Sequence, residues 1–330
     1  MNIGIIGAGG WGTALAMVAA QNNHAVTLWA RKQETADEIN THHTNTVFLP
    51  GVSISETITA TTSAEIVSAA EMLVIAIPTQ FIRSVVTAYP FSLSGKTIAN
   101  ASKGIERNTL LRVSQILRQT SNVHIEDYVM LTGPSHAEET VRNVPTTVLA
   151  ASLDEDSASK VQDVFTTPTF RCYRSNDVIG AELGGALKNV IAIAAGIIDG
   201  LGTGDNTKAA LITRGLAEMA RLGAELGANP LTFSGLSGLG DLIVTCDSKH
   251  SRNRRVGELL GKGKPLAEIL DEMHMVAEGV STTESAYALA RKRNVEMPIV
   301  EQVYEILFNN KPAPLAIRDL MTRESKREIS

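Results

Sequence analysis

Three features of this 330-residue chain predict an α/β fold, with an N-terminal Rossmann-like doubly wound sheet followed by an all-α C-terminal domain. Short, uniformly apolar runs alternate with helical stretches through the first half; the strand signal stops near residue 180; and a glycine-rich turn joins the first strand to the first helix. Uniformly apolar runs suit parallel strands covered on both faces, because such strands have no solvent face toward which to alternate. The length allows two domains, since a single core rarely grows beyond roughly 250 residues.

Taken in order, "NIGII", "AVTLW", "MLVIAIP", "KTIANA" and "YVMLTG" read as strands, with helices such as "GTALAMVAAQNN" and "NTLLRVSQILRQT" between them. That is the βαβ rhythm of a doubly wound sheet. "PTTVLAA" and "FRCYRS" flank the helix "DEDSASKVQDVFTT" and extend the same sheet. Beyond them the pattern is helical: residues 181–199, then "NTKAALITRGLAEMARLGAELG", then shorter helices through "TTESAYALARKRN" and "VEQVYEILFNN". The shift at "SNDVIG" divides the chain into a dinucleotide-binding domain, 1–180, and a helical substrate-binding domain, 181–330.

A formal charge of −5 argues against wholesale binding to nucleic acid or an anionic membrane, although a local basic cluster can still hold a small anion. Cys172 and Cys246 are far apart and lack CxxC spacing, so neither a disulfide framework nor a cysteine zinc site is indicated. The chain opens directly into strand-like sequence with no basic leader, and no uncharged apolar run approaches the ~20 residues that span a bilayer. A cytoplasmic protein with no membrane insertion is expected.

"GAGGWG" supplies Gly7, Gly9 and Gly12 in G-x-G-x-x-G spacing, straight after a strand and opening a helix. Gly7 permits the tight turn, Gly9 lets backbone approach a pyrophosphate, and Gly12 allows close packing of the helix on the sheet. The pyrophosphate would sit at the helix N-terminus, where free N–H groups favour anions. From Thr13 through Gln33 there is no acid to hold a ribose 2′-hydroxyl, and the second strand runs into Arg31 and Lys32. An arginine there can pair with a 2′-phosphate, which favours NADPH while leaving NADH open. The turns "IPTQF", "ASKGIE" and "TGPSHAEE" complete a cofactor rim, and in the last Ser135 and Glu138 have the S-x-x-E spacing of a capping box. His136, a single histidine beside them, is assigned no chemistry.

Within "ELGGALKNVIAIAAGII" one lysine, Lys188, interrupts an otherwise apolar helix. At roughly 100° per residue its face is shared by Ala181, Gly184, Gly185, Ala192 and Ala195, a stripe thin enough for another backbone or a ligand to approach. A lysine desolvated there has its pKa pushed down toward working pH and becomes a general acid–base. Lys103 in "ASKGIE" is a candidate second cation near the same oxygen. In "GLGDLIVTCDSKHSRNRRVG", Asp241 sits in a glycine-rich turn, and Ser251, Arg252 and Asn253 precede the expected helix "RRVGELLG". A hydroxyl, a forked guanidinium and an amide at a helix start suit a small phosphate. Together with the dinucleotide turn they point to a phosphorylated hydroxyl or ketone substrate.

The chain resembles the bacterial-type NAD(P)-dependent glycerol-3-phosphate dehydrogenases over nearly its whole length, through "GAGGWGTALA", "ASKGIE", "LTGPSHAEE", "GALKNVIAIAAGIIDGLGTGDNTKAALITRGLAEM", "TFSGLSGLGDLIVTCDSKHSRNRRVG", "VAEGVSTTESAYALA" and "MPIVEQVYEIL". The resemblance implies reversible reduction of dihydroxyacetone phosphate to sn-glycerol 3-phosphate, feeding glycerophospholipid synthesis, and a homodimer by the family's habit. It implies Lys188 as proton donor and acceptor, with Lys103, Asp241, Ser251, Arg252 and Asn253 contacting substrate. It implies cofactor contacts at Gly10, Trp11, Arg31, Lys103, Gly133, Ser135, Ala137 and Arg252, with Val276 and Glu278 closing over the cofactor. Gly10 stands where the family commonly has serine, Phe48 where it often has tyrosine, and His136 where it often has phenylalanine. A β-hydroxyacid dehydrogenase also pairs a Rossmann half with a helical half and a lysine, but would bind a substrate carboxylate. A nucleotide-sensing regulator is disfavoured by the absence of a basic recognition helix.

Overall fold

The computed structural model describes residues 1–273, 275–325 and 327–328. Eight strands form one sheet: β1 (Asn2–Ile6), β2 (Ala25–Trp29), β3 (Ile58–Thr61), β4 (Met72–Ile75), β5 (Thr97–Asn100), β6 (Tyr128–Thr132), β7 (Thr146–Ala151) and β8 (Phe170–Ser175), in the order β3-β2-β1-β4-β5-β6-β7-β8. Every pairing is parallel except β6 with β7. Ile3 and Ile5 of β1 face one apolar cluster and Ile6 another, so the sheet is buried on both sides as its uniform hydrophobicity requires. Strand order reverses between β1 and β4, and the carboxyl ends of strands at such a reversal leave a crevice for a ligand.

The structure differs from the sequence reading in three places. β3 was not anticipated: it is a four-residue edge strand within a threonine-rich run, where only Ile58 and Ala60 are buried. β7 runs antiparallel because the stretch joining it to β6 holds only the short helix Ala137–Thr140, and a parallel return needs a longer crossover. The segment "NTLLRVSQILRQT" becomes helical only from Val113, since Asn108 and Leu110 both take positive φ, at 62° and 59°.

After β8 the chain enters the helix Val178–Leu201, hereafter the central helix. Asp177 caps its start by accepting from Gly180 N at 2.9 Å, and Gly202, at φ 68°, ends it. The helix is buried from Gly180 through Ile198, with Leu183, Leu187, Val190, Ile191 and Ile193 in the helical core, each worth about 1.5–3 kcal/mol on burial. By length and composition this helix could cross a membrane, but its apolar window is 100% buried inside the protein. A side-chain cluster ties it to the sheet layer. Glu182 accepts from Ser114 N and Oγ and from Tyr128 OH, each at 2.8 Å, and pairs with Arg112.

Gly184 and Gly196 of this helix are approached by backbone. A Cβ on Gly184 would meet Ser237 O at 2.3 Å, and one on Gly196 would meet Arg254 O at 1.9 Å. The helix Arg252–Gly261 reciprocates, because a Cβ on Gly257 would meet Ile193 O at 1.9 Å. This close approach fixes the Ser251–Asn253 turn beside the helix that carries Lys188.

Candidate active site

A cleft of about 570 Å³ opens at the carboxyl ends of β1 and β4 and runs to the central helix. Its lining includes Gly7, Gly9, Gly10, Trp11 and Arg31 from the first βαβ unit, Lys103, Ser135 and Ala137 from later turns, and Lys188, Ser251, Arg252, Asn253, Val276 and Glu278 from the helical half. Residues proposed from sequence in both halves thus face one space. Gly12, Gly133 and Asp241 stand just behind it: Gly12 under the glycine turn, Gly133 at the end of β6, and Asp241 beneath the lysines.

The glycine turn fits a dinucleotide. Gly7 has φ 125°, a conformation side chains avoid, and a Cβ there would lie 2.5 Å from Ala76 O. A Cβ on Gly12 would lie 1.9 Å from Gly7 O, so this glycine lets the helix Gly10–Gln21 press onto the turn. At Gly9, by contrast, a Cβ would meet nothing within 4 Å. The protein therefore leaves room over Gly9 that it leaves at neither neighbour. No side chain caps the helix there, so its first N–H groups are available to an anion, and the indole Nε1 of Trp11 is buried without a partner. Arg31 and Lys32 line the far end of the cleft together with Thr35. At position 10 the missing side chain reflects crowding as well, because a Cβ would sit 3.2 Å from Phe48 O.

The apolar setting of Lys188 is offset by two partners. Its residue is 6% exposed, and Nζ donates to Asp241 Oδ1 and to Thr245 Oγ1, both at 2.7 Å. Asp241 Oδ2 accepts from Lys103 Nζ at 2.6 Å, and Lys103 also donates to Gly133 O at 3.1 Å. One carboxylate therefore holds two ammonium groups. Burial pulls the Lys188 pKa from 10.5 to about 8; Asp241 opposes that pull and the charge on Lys103 adds to it. Burial would raise the Asp241 carboxyl, but the two lysines outweigh it and hold the group below its usual range.

The turn Ser251–Asn253 sits where its sequence placed it, although the helix starts at Arg252 and takes Arg252 and Asn253 into its first turn. Ser251 Oγ caps that helix by accepting from Arg254 N at 3.2 Å. Arg252 donates from Nη1 to Val276 O at 2.9 Å. Glu278, partly buried, accepts from Thr79 N at 2.8 Å; burial pushes its carboxyl up to about 7 against the pull of that N–H and of Arg252, Lys188 and Lys103.

The capping box read from Ser135 and Glu138 does not form. The helix begins one residue later than that spacing needs, at Ala137 with His136 as its N-cap, and Ser135 Oγ instead donates to Gly133 O at 2.9 Å. His136 lines the cleft 6.0 Å, ring to ring, from His250, and its Nε2 is buried without a partner. Asn189 and Thr245 also line the cleft and were not anticipated. For Thr245 a signal existed, since it lies four residues after Asp241 and so shares its helix face.

Comparison with known proteins agrees along the chain. Residues 2–158 match the family described as NAD-dependent glycerol-3-phosphate dehydrogenase N-terminus, and residues 177–318 match its C-terminus. A glycerol-3-phosphate dehydrogenase [NAD(P)+] of Lysinibacillus sphaericus (strain C3-41) is 52% identical over 328 residues, covering 98% of this chain and 97% of its own. One from Chlorobium limicola (strain DSM 245) is 50% identical over 332 residues and covers 100% of both chains. The crystal structure of a glycerol-3-phosphate dehydrogenase from Coxiella burnetii superposes with a TM-score of 0.92 at 36% identity, covering 98% of this chain and 99% of the other.

Proposed function

The chain belongs to the NAD-dependent glycerol-3-phosphate dehydrogenase family and is an NAD(P)-dependent enzyme of that activity, and from this premise we propose that Lys188 is its acid–base group in the interconversion of dihydroxyacetone phosphate and sn-glycerol 3-phosphate. The observation that carries the proposal is a buried amine with a pKa near 8, held by Asp241 and Thr245, in the same cleft as the glycine turn.

Gly7, Gly9, Gly10 and Trp11, with Arg31 toward the ribose and Val276 and Glu278 on the helical side, would hold the nicotinamide cofactor, which when bound would supply or accept the hydride. The chain's own residues do the rest. In reduction the Lys188 ammonium donates its proton to the carbonyl oxygen as that oxygen gains charge, and in oxidation the neutral amine takes the hydroxyl proton. Lys103 adds a second positive charge at the same oxygen, and Asp241 keeps both lysines aimed there. Ser251, Arg252 and Asn253 hold the phosphate at the start of their helix, where charge-assisted bonds and free N–H groups favour an anion. Burial of the amine excludes water that would otherwise compete for the proton.

We read residues 1–180 as the dinucleotide-binding domain and 181–330 as the substrate-binding domain, with the product entering glycerophospholipid synthesis in the cytoplasm. A homodimer is the expected assembly. Replacement of Lys188 by Ala tests the assignment: loss of NADPH absorbance on adding dihydroxyacetone phosphate should disappear while NADPH still binds. Turnover at the wild-type rate would remove Lys188 from its role.

A further inference from the structure

Lys103 follows a turn that the Asn100 side chain holds at both backbone groups of Ser102. Asn100 Oδ1 accepts from Ser102 N and its Nδ2 donates to Ser102 O, each at 3.1 Å. The second of these bonds fixes the peptide unit that leads into Lys103. Ser102 Oγ adds a 2.6 Å bond to Ile77 O. The lysine stem then crosses the central helix at Gly185, where a Cβ would lie 3.4 Å from Lys103 Cγ. That crossing falls midway along the helix between Glu182 and Lys188.

The same amide reaches the central helix by a second route. Asn100 Nδ2 also donates to Tyr128 OH at 2.9 Å, and Tyr128 OH donates to Glu182 Oε1 at 2.8 Å. Glu182 is held in turn by Ser114 and Arg112. Asn100, Tyr128 and Glu182 are at most 3% exposed, so the run from amide to phenol to carboxylate is shielded from water and each bond polarises the next. Burial, with the charge of Glu182 adding to it, holds the phenol well above its ordinary value of 10.0, so its O–H remains a donor. All three residues stand outside the cleft lining. The Lys103 turn and the Lys188 helix are thus joined twice, through Asp241 in the cleft and through this buried chain behind it.

We propose that Tyr128 is a positioning residue of the reaction: with Asn100 and Glu182 it holds the Lys103 turn at a fixed distance from the helix that carries Lys188, so that both ammonium groups meet at one substrate oxygen. The inference rests on the reading of Lys103 and Lys188 given above. Asp241 pairs the two ammonium groups with each other, but where that pair stands depends on the two backbones, and the chain links those backbones directly. A displacement of about 1 Å at a group that meets developing charge costs up to about 100-fold in rate.

The test is a double-mutant cycle on NADPH-dependent reduction of dihydroxyacetone phosphate. Tyr128→Phe keeps the ring and removes the link. Its kcat should fall at least about tenfold while KM for dihydroxyacetone phosphate changes less than about twofold, because the phosphate turn belongs to a different helix, Arg252–Gly261. In a Lys103→Ala background, itself slower, the same substitution should cost less than about twofold, since the group it places is gone. Ser114→Ala removes a bond to Glu182 Oε2 without opening the path to Lys103, and should lower the melting temperature while leaving kcat at the wild-type value. Asn100→Ser opens the chain one link nearer to Lys103 and gives the same comparison where Tyr128→Phe does not fold, as judged by thermal melting. An equal loss with and without Lys103 would mean that Tyr128 serves the fold in general and would overturn the proposal. So would a wild-type kcat in Tyr128→Phe, or a loss of the same size in Ser114→Ala. Wild-type turnover in Lys103→Ala would instead remove the reading of Lys103 on which the proposal stands.

Discussion

Lys188 and Asp241 are 53 residues apart in the chain, and their Nζ and Oδ1 atoms are 2.7 Å apart. The aspartate's other oxygen binds Lys103 at 2.6 Å, so a single carboxylate sits between two cations in a water-poor site. Removing that negative charge leaves the two ammonium groups facing each other. In Asp241→Asn the Lys188 pKa should fall below its wild-type value near 8, because the group that opposes desolvation is gone. Turnover should drop about 100-fold, and the pH above which reduction fails should move to lower pH. A variant whose pH–rate curve overlays the wild type would show that the carboxylate does not tune the amine.

The same amine sets the wild-type pH dependence. Reduction needs the ammonium, so kcat for dihydroxyacetone phosphate should be level below pH 8 and fall as pH rises through the Lys188 value of about 8. Oxidation of sn-glycerol 3-phosphate needs the neutral amine and should rise through the same region. Steady-state rates in both directions across pH 6–10 should give two curves that mirror each other; parallel curves would assign the titration to another group.

Glycines at the first turn separate folding from binding. Gly12→Ala forces a methyl to within 1.9 Å of Gly7 O and should destabilise the protein by about 1–3 kcal/mol or more. Gly9→Ala adds a methyl where nothing lies within 4 Å, so the melting temperature should hold while NADPH affinity falls at least about tenfold. Thermal melts with and without NADPH distinguish the two, and a Gly9→Ala protein that binds NADPH normally would remove the pyrophosphate from that place.

This contrast marks what the sequence made legible. The spacing of Gly7, Gly9 and Gly12 announced the tight turn and the close packing of its helix because that information is local. The apolar helix and the thin face around Lys188 were visible for the same reason, and the face is indeed closely approached, by the backbone of Ser237 at Gly184 and by the side chains of Thr132 and Lys103 at Gly185. What repays the burial of Lys188 was not visible. Asp241 and Thr245 reach it only through the packing of the helix Asp241–Asp247 against the central helix, and no periodicity reports a contact 53 or 57 residues distant. The resemblance implied Asp241 only as a substrate contact; that its two oxygens hold both lysines is what the structure adds. The edge strand β3 escaped because four residues with two buried side chains carry too little pattern, and the antiparallel turn of β7 is a matter of connection length rather than composition.

At the far end of the cleft, Arg31 and Lys32 follow β2 without an acid between Thr13 and Gln33. A guanidinium–phosphate bond contributes roughly 1.5–3 kcal/mol, or about 10- to 100-fold in affinity. Arg31→Glu should raise KM for NADPH by that factor and leave KM for NADH nearly unchanged or improved, since the new carboxylate can accept from a ribose 2′-hydroxyl. Equal losses with both cofactors would show that Arg31 holds something other than the 2′-phosphate.

Far from the cleft, Glu218 is a buried acid whose ionised form the fold disfavours. It is 3% exposed, and its carboxylate accepts from Ile299 N at 2.8 Å and Val300 N at 3.3 Å at the start of the helix Pro298–Phe308. Burial raises its pKa from 4.5 to about 7, against the pull of those N–H groups and of Arg221 and Arg323. Below pH 4.5 both folded and unfolded states hold the proton, so the group is neutral in its effect on stability. Between 4.5 and 7 the unfolded chain gives the proton up first, so stability falls as pH rises, and above 7 the full penalty persists. Glu218→Gln keeps an oxygen for the helix start and removes the charge. It should stabilise the protein by roughly 1–3 kcal/mol at pH 8, on the scale of 1.36 kcal/mol per pKa unit, and change little at pH 4.5. Thermal denaturation of both proteins at the two pH values checks this: a gain at pH 8 that vanishes in acid follows from a buried charge, whereas an equal loss at both would mean that the carboxylate stabilises the helix it caps.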